Sequence, residues 1–349
     1  MKALVVKAPG IIEYQEVQKP VPGPHEVVSR VCYCGICGTD GEIYHGDTSL
    51  AENHLIHYPV RIGHEWSGVV ESVGSEVHDF KPGDRVISDT GSSCGKCEAC
   101  LSGNFRKCEN LVSLGTIGDF KEGAFAEYIV MHEWHMHKVP DEISLEEAAL
   151  VEPGTVALHA LENSRVQSGE TILVTGTGVI GLMAVNLAKQ MGLRVLLAGR
   201  KPFKLNIGRQ MGADITINTT QEDLSQAVLH ATDGRGVDVF FDTTGAMSIV
   251  NRAMDLTAYA GRIALLAFYD DLLNAFDVNR LVMYHKSLLG CEGTDWCAPR
   301  VLDIVKQKKV PLTPMITHRV AFEEAAETIR NSRRNTAEKI KVMVQIGKE

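Results

Sequence analysis

Four cysteines fall within the 15 residues from Cys94 to Cys108, close enough for their thiols to bind one metal ion together. Cys94, Cys97 and Cys100 follow the spacing C-x2-C-x2-C, in a polar loop that cannot bury a core of its own. Four thiolates would close a tetrahedral zinc site and organise such a loop. Because all four positions are Cys, no position is left for a substrate, so the predicted role is structural. Two local disulfides or free thiols are the alternative, and this spacing suits disulfides poorly.

A second group combines a thiol, an imidazole and a carboxylate. Cys37 is followed by Thr39 and Asp40, and His64 and Glu65 come 27 and 28 residues after Cys37. Such a mixed set leaves an exchangeable fourth position on zinc, which catalysis requires. Asp40 offers a carboxylate for the second N–H of a metal-bound histidine. A Cys used for packing and a Gly-His-Glu in a surface loop are the alternatives, and the residues alone leave the question open.

Glu152 is an acidic residue inside the otherwise apolar stretch from Ala148 to Leu161. A carboxylate in such a setting is rarely buried without a partner, and a metal ion is one partner that would suffice. We therefore group Glu152 with the second set of candidate ligands.

A glycine-rich turn follows the β-branched run Thr171–Thr175 and opens a helix-like segment that reaches Met191. The pattern G-x-G-x-x-G alone is weak, but here it has a strand before it and a helix after it. Backbone N–H groups at the start of that helix can face a pyrophosphate, so we predict a dinucleotide site, with a ligand-free turn as the alternative. The residues involved are Gly176, Gly178, Val179, Ile180 and Gly181.

The end of the next predicted strand carries a glycine and basic residues where NAD-binding folds carry an acidic residue for the ribose hydroxyl. The residues are Gly199 and Arg200, with Lys204 one turn further on. A glycine leaves room for a phosphate and arginine offers it a two-pronged contact. We therefore predict NADP over NAD. Stacking of Arg200 on adenine, or exposure to solvent, is the alternative.

Composition sets the class of protein that holds these groups. The chain has 349 residues, 44% hydrophobic and 23% charged, which is typical of a globular protein of about two domains. A formal net charge of −9 argues against nucleic acid as a partner. No apolar run is long enough to span a bilayer, and the segment Met1–Lys7 is too short for a signal peptide. We expect a cytoplasmic protein without membrane contact.

Short β-rich runs separated by Gly and Pro fill the chain up to about Leu150 and predict a mostly antiparallel β domain. From about Thr155 to Leu289 strands and helices alternate, which indicates a parallel, doubly wound sheet. Strands are expected at Arg194–Ala198 and Arg262–Phe268 in this part. The last 60 or so residues are expected to return to the first domain.

Together these features resemble the zinc-dependent medium-chain dehydrogenases, in the branch of the polyol (sorbitol) and threonine dehydrogenases. The resemblance runs end to end and is carried by Gly35–Asp40, Gly63–Glu65, Phe80–Val86, the four-Cys lobe, Glu152-Pro153 and Gly176–Gly181. It implies a GroES-like catalytic domain over residues 1–154 with a zinc lobe at about 90–110. It further implies a Rossmann domain over 155–289 and a return segment over 290–349.

The resemblance also implies roles. Cys37 and His64 are expected to bind the catalytic zinc, together with the carboxylates Glu65 and Glu152, one directly and the other directly or through water. Thr39 would carry the alcohol proton and Asp40 would support the ligands. The expected contents are two zinc ions per chain and a nicotinamide cofactor. Whether His45 completes a proton relay is left open.

The implied reaction is reversible oxidation of a secondary alcohol to a ketone with hydride transfer to NAD(P). A polyol, sugar or amino-cyclitol is the favoured substrate; threonine or a simple alcohol, and a catalytically silent member of the fold, are the alternatives. A homodimer or homotetramer is expected.

Overall fold

The computed structural model describes residues 1–47, 51, 53–116, 118, 120–269, 277–291, 296–307, 311–334 and 336–349. Two compact units are present. The first contains Met1–Glu152, Thr294–Lys306 and Ile316–Glu349, and the second contains Pro153–Gly293 and Gln307–Met315. Within the described ranges, no helix combines the length and the apolar character needed to cross a membrane.

The strands are numbered here in chain order. They are β1 (Lys2–Ala8), β2 (Ile11–Glu16), β3 (Glu26–Ile36), β4 (Val60–Arg61), β5 (Glu65–Val73), β6 (Arg85–Ser88), β7 (Gly91–Ser92), β8 (Val112–Leu114), β9 (Phe120–Lys121), β10 (Tyr128–His132), β11 (Met136–Lys138), β12 (Thr171–Thr175), β13 (Arg194–Gly199), β14 (Ile215–Asn218), β15 (Val237–Asp242), β16 (Thr257–Leu265), β17 (Ser287–Gly290), β18 (Ile316–Ala321) and β19 (Lys341–Gln345).

The helices of the described residues are numbered in the same way. They are α1 (Gly38–His45), α2 (Glu98–Leu101), α3 (Leu145–Ala148), α4 (Val151–Asn163), α5 (Val179–Gln190), α6 (Pro202–Gln210), α7 (Leu224–Ala231), α8 (Met247–Leu256), α9 (Val278–Met283), α10 (Ala298–Lys306) and α11 (Ala325–Arg330). Short 3-10 turns lie at Phe105–Lys107, Glu133–His135, Thr313–Met315 and Phe322–Glu324.

The first unit is built on a mostly antiparallel sheet with the strand order β11-β6-β5-β3-β19-β18. The long strand β3 is central, and it pairs antiparallel with β5, β10 and β19. Apolar side chains from this sheet and from β1 form the core, among them Leu4, Val31, Trp66 and Phe125. The last strand of the chain therefore completes a sheet that starts near residue 26.

The second unit is the predicted parallel, doubly wound sheet, with the strand order β14-β13-β12-β15-β16-β17. Every residue of β12 is buried, as expected for a strand covered by helices on both faces. The predicted strand at Arg262–Phe268 is shifted: β16 covers Thr257–Leu265 and begins directly after helix α8. The strand order reverses between β12 and β15, and ligands of such sheets bind outside the carboxyl ends of the strands at that point.

Candidate active site

The four cysteines of the lobe come together. One ligand atom from each of Cys94, Cys97, Cys100 and Cys108 lies within 4.8 Å of the others. Cys97 Sγ and Cys100 Sγ are 3.5 Å apart, and none of the nine cysteines forms a disulfide. This separation is non-bonded, so these two thiols do not form a disulfide, and the four thiols together could hold a metal ion.

The lobe also shows why these thiols suit a cation. Backbone N–H groups of Lys96 and Cys97 lower the pKa of Cys94 to about 6, whereas burial raises the pKa of Cys108 to about 11. A metal ion would keep all four groups as thiolates, since the thiolate is the form that binds metal. The Trp134 ring packs over the turn at Gly95, whose φ of +70° and lack of a side chain permit that contact.

The mixed set also comes together, in the first unit. Single ligand atoms of Cys37, His64 and Glu65 lie within 4.8 Å of one another. Cys37 is the N-cap of α1, and its backbone N–H donates to Asp40 Oδ2 at 2.8 Å. Glu65 is the first residue of β5 and His64 directly precedes it, and the pairing of Gly35 with Glu65 sets both beside β3. Local capping thus places the thiol, and strand register places the imidazole and carboxylate.

Buried polar atoms without partners mark this cluster. Asp40 Oδ1 and His64 Nδ1 have no hydrogen-bond partner in the described part of the chain. Burial raises the pKa of Asp40 to about 6. Burial opposes the charged form of His64, but the neighbouring Cys37, Glu152 and Asp40 groups hold its pKa well above the ordinary value. Buried polar atoms without hydrogen-bond partners, beside clustered ionisable side chains, fit a divalent cation. The sulfur, nitrogen and oxygen ligand atoms of this cluster are those that zinc binds.

Lys341 is a member of the site that sequence reasoning missed. Its ammonium forms an ion pair with Glu65 and donates to the Ile36 carbonyl at 3.0 Å. A side chain at Gly35 would collide with the Glu65 carboxylate and the Lys341 stem, so glycine is needed there. The signal was available: a lysine within the apolar strand β19 requires a partner.

Thr90 is the second residue that was missed. Its hydroxyl donates to Glu152 Oε1 at 2.8 Å, and burial raises the pKa of Glu152. Glu152 acts on the pKa of His64, yet it is not among the three residues whose ligand atoms share the 4.8 Å cluster. No sequence pattern points to Thr90, which follows β6 and is 62 residues from its partner.

Thr39 and His45, the two candidates for carrying the alcohol proton, lie at opposite ends of α1. Thr39 Oγ1 is 3.8 Å from Cys37 Sγ, next to the cluster. His45 is at the helix C-terminus, with Nε2 3.5 Å from the Ser332 hydroxyl and its ring against Tyr44. The structure thus brings Thr39, but not His45, to the thiol.

In the second unit the glycine-rich turn joins β12 to α5. Gly176 has φ of +106°, and a Cβ there would meet the Thr243 hydroxyl. A Cβ at Gly178 would meet nothing within 4 Å, whereas one at Gly181 would overlap the Gly176 carbonyl. These are the three roles of such glycines: a tight turn, backbone open to a phosphate, and close helix–strand packing. Val179 and Ile180 form the first helical residues.

The end of β13 carries the cofactor-selectivity candidates. Gly199 ends the strand, Arg200 is exposed, and Lys204 lies half-buried on the first turn of α6. A Cβ at Gly199 would come within 3.2 Å of the Thr177 hydroxyl oxygen and closer still to its methyl group. A side chain at this position therefore needs room that Thr177 now occupies.

Comparisons with known proteins agree with this architecture. Residues 23–141 match the family model of the alcohol dehydrogenase GroES-like domain, and residues 179–306 match that of the zinc-binding dehydrogenases. Sorbitol dehydrogenase of Halalkalibacterium halodurans is 32% identical over 332 residues, 93% of this chain and 94% of that one. L-threonine 3-dehydrogenase of Pyrococcus horikoshii is 34% identical over 341 residues, 95% of each chain.

A solved structure from Sinorhizobium meliloti, described as a zinc-binding dehydrogenase bound to NADP, has a TM-score of 0.90 at 29% identity. The alignment covers 99% of this chain and 98% of that chain.

The chain therefore belongs to the zinc-dependent medium-chain alcohol dehydrogenases, in their polyol dehydrogenase branch. It is an oxidoreductase that acts on alcohols, and its two folds are GroES-like and Rossmann-type, as predicted.

Proposed function

We propose that this enzyme reversibly oxidises a secondary alcohol of a polyhydroxylated substrate to a ketone, with hydride transfer to NADP. One observation carries the proposal: Cys37, His64 and Glu65 bring a thiol, an imidazole and a carboxylate within 4.8 Å in a buried site. Glu152, held by Thr90, supplies a second carboxylate beside them. We assign the catalytic zinc to these four residues, with Glu65 and Glu152 sharing the carboxylate role.

Zinc in this site would act as a Lewis acid toward the alcohol oxygen. The protein supplies the proton path and the positioning. The Thr39 hydroxyl, 3.8 Å from Cys37 Sγ, would accept the alcohol proton and release its own to solvent water, because a hydroxyl is both donor and acceptor and Thr39 is only partly buried. Asp40 fixes the start of α1 through the Cys37 N–H, so the thiol and the Thr39 hydroxyl keep their spacing.

We assign a structural zinc to Cys94, Cys97, Cys100 and Cys108. Their thiols share one 4.8 Å cluster in a lobe of short elements, and a tetrathiolate site leaves no position for a substrate.

The cofactor assignment is NADP. A carboxylate that would accept the ribose hydroxyls of NAD is missing from the end of β13, where Gly199 and Arg200 stand. Arg200 offers a guanidinium to a 2′-phosphate, and Lys204 follows on α6.

The substrate class rests on the carboxylates. The site pairs Glu65 and Glu152 with one thiol, Cys37, and does not use a second cysteine; this is the set that the resemblance associates with polyols, sugars and amino-cyclitols. The sorbitol dehydrogenase relative agrees with that choice. The threonine dehydrogenase relative keeps threonine as the second candidate. Turnover of a panel of polyols, amino-cyclitols and threonine decides between them.

An apolar surface on the second unit supports a homo-oligomer. The edge strand β17 carries Leu288, and nearby elements expose Tyr259, Val282 and Met283, the last three by about two-thirds. Among the described residues no strand pairs with the outer edge of β17, and such an edge beside an exposed apolar patch can pair with the same edge of a second copy of this chain. None of the nine cysteines forms a disulfide, and each lies in one of the two clusters or is buried, which also favours a reducing compartment such as the cytoplasm.

Metal analysis of matched variants tests the central assignment. The purified enzyme is expected to hold two zinc ions per chain. Cys37→Ser should lose one of them together with turnover and remain folded. Cys34→Ala, which removes a fully buried neighbouring thiol, should keep both ions and activity. Normal turnover by Cys37→Ser would refute the assignment.

A further inference from the structure

Asp242 is a fully buried carboxylate at the end of β15 that the proposed chemistry does not use. It accepts hydrogen bonds from the hydroxyls of Thr175 at 2.6 Å, Thr244 at 2.8 Å and Tyr269 at 2.7 Å. The Gly245 N–H donates to it at 3.3 Å. Two donors face each oxygen, which fills the acceptor capacity of an ionised carboxylate.

These donors come from three chain segments that meet at the carboxyl edge of the sheet. Thr175 ends β12 and precedes the glycine-rich turn, Thr244 and Gly245 follow β15, and Tyr269 lies four residues after β16. The bond from Thr175 to Asp242 lies next to the glycine-rich turn. The hydroxyl of Thr243, which follows Asp242, donates to the Thr175 carbonyl and lies where a Gly176 side chain would be.

The segment Leu266–Tyr269, which follows β16, packs closely on the loop after β15. A Cβ at Gly245 would come within 2.7 Å of the Phe268 carbonyl, and Gly245 has φ of +67°. Burial and the bond to Asp242 raise the pKa of Tyr269, so its hydroxyl stays a donor near neutral pH. Thus one hydroxyl and one close backbone contact hold this segment in place.

The strand order assigns this segment to one end of the cofactor. A dinucleotide crosses the sheet where the order reverses, between β12 and β15, with its pyrophosphate at the glycine-rich turn. The adenosine half lies toward β13, where Gly199 and Arg200 stand, so the nicotinamide half lies toward β15 and β16.

We infer that Tyr269 is a positioning residue for the nicotinamide half of the cofactor: its hydrogen bond to Asp242 fixes the segment Leu266–Tyr269, against which that half is placed. Asp242 is the common anchor, since it also fixes Thr175 and hence the pyrophosphate turn. The inference rests on the proposed dinucleotide cofactor.

The test compares whole cofactors with their adenosine halves on the zinc-loaded enzyme. Dissociation constants of NADPH and NADH, and of 2′,5′-ADP and 5′-AMP, are measured by calorimetry. Tyr269→Phe should weaken binding of the preferred dinucleotide on the order of tenfold, the value of one hydrogen bond to a charged group. Its adenosine half should bind within about twofold of the wild type, because those contacts lie on the other side of the turn. Asp242→Asn should weaken both ligands.

Tyr128→Phe is the matched control, because Tyr128 lies on β10 of the first unit and belongs to none of the proposed sites. It should change neither constant, and thermal unfolding reports whether each variant is folded. Wild-type dinucleotide affinity in Tyr269→Phe, or an equal loss for the dinucleotide and its adenosine half, would overturn the inference. Failure of the wild-type enzyme to bind either dinucleotide would instead refute the proposed cofactor.

Discussion

The ammonium of Lys341 and the carboxylate of Glu65 form an ion pair with both side chains about 97% buried. The two residues are 276 positions apart in the chain. The pair joins the last strand of the first unit to the strand that begins at a proposed zinc ligand. Burial opposes the charge on Lys341, but Glu65 keeps the pKa of the ammonium above its ordinary value, so the ammonium keeps its charge.

Removing the ammonium should be costly. Lys341→Met leaves the Glu65 carboxylate buried without its partner, and breaking such a pair destabilises a protein by about 3–5 kcal/mol. Urea unfolding of the metal-free protein measures this loss. Lys341→Arg should recover a large part of it. Lys19→Met, which breaks the exposed pair with Glu71, should change the free energy of unfolding little. An unchanged midpoint in Lys341→Met would show that the pair contributes nothing.

Loss of the Thr90 hydroxyl should act on Glu152. Thr90→Val keeps the shape and removes the 2.8 Å hydrogen bond, and outer partners of metal ligands are typically worth about 10–100-fold in metal affinity or activity. Zinc affinity, measured by chelator competition, and kcat/KM are both expected to fall within that range. Thr328→Val, which removes a hydroxyl bonded to a helix carbonyl, serves as the control. Wild-type values for Thr90→Val would separate Thr90 from the site.

The lobe should depend on its metal. Cys97→Ala removes one of four clustered thiols, so the variant is expected to hold one zinc ion fewer and to lose stability. Structural zinc binding is worth about 10–16 kcal/mol in small peptides, of which only part would appear in the unfolding of the whole chain. Cys32→Ala removes a buried thiol outside both clusters and should leave the metal content unchanged. Unaltered zinc in Cys97→Ala would contradict the assignment.

Cofactor choice should depend on Arg200. Arg200→Gln removes a charged donor, so kcat/KM for NADP should fall roughly ten- to hundredfold while the value for NAD stays the same. Arg209→Gln removes the same charge from the far end of the helix that follows and should alter neither value. A wild-type enzyme that uses NAD at least as well as NADP would refute the assignment.

The sequence by itself determined the features whose parts are neighbours along the chain. Cys94–Cys108 and Gly176–Gly181 each need only a short loop to assemble, so spacing and residue type were enough to predict their geometry. The parallel sheet followed from the alternation of strands and helices. The proposed zinc ligands were harder to predict, because Cys37, His64 and Glu152 are far apart in the chain. Their residue types suggested the set and left it open, and the resemblance supported it.

Tertiary structure alone decided which side chains bind the carboxylates Glu65, Glu152 and Asp242. Lys341 reaches Glu65 because β19 pairs with β3 in the register Val342 opposite Ile36, while β3 pairs with β5 in the register Gly35 opposite Glu65. A one-residue shift between β19 and β3 would turn Lys341 to the other face of the sheet, and one between β3 and β5 would do the same to Glu65. Thr90 contacts Glu152, and Tyr269 contacts Asp242, for the same reason. Packing between distant parts of the chain sets these contacts, and no local sequence pattern predicts which two residues will meet.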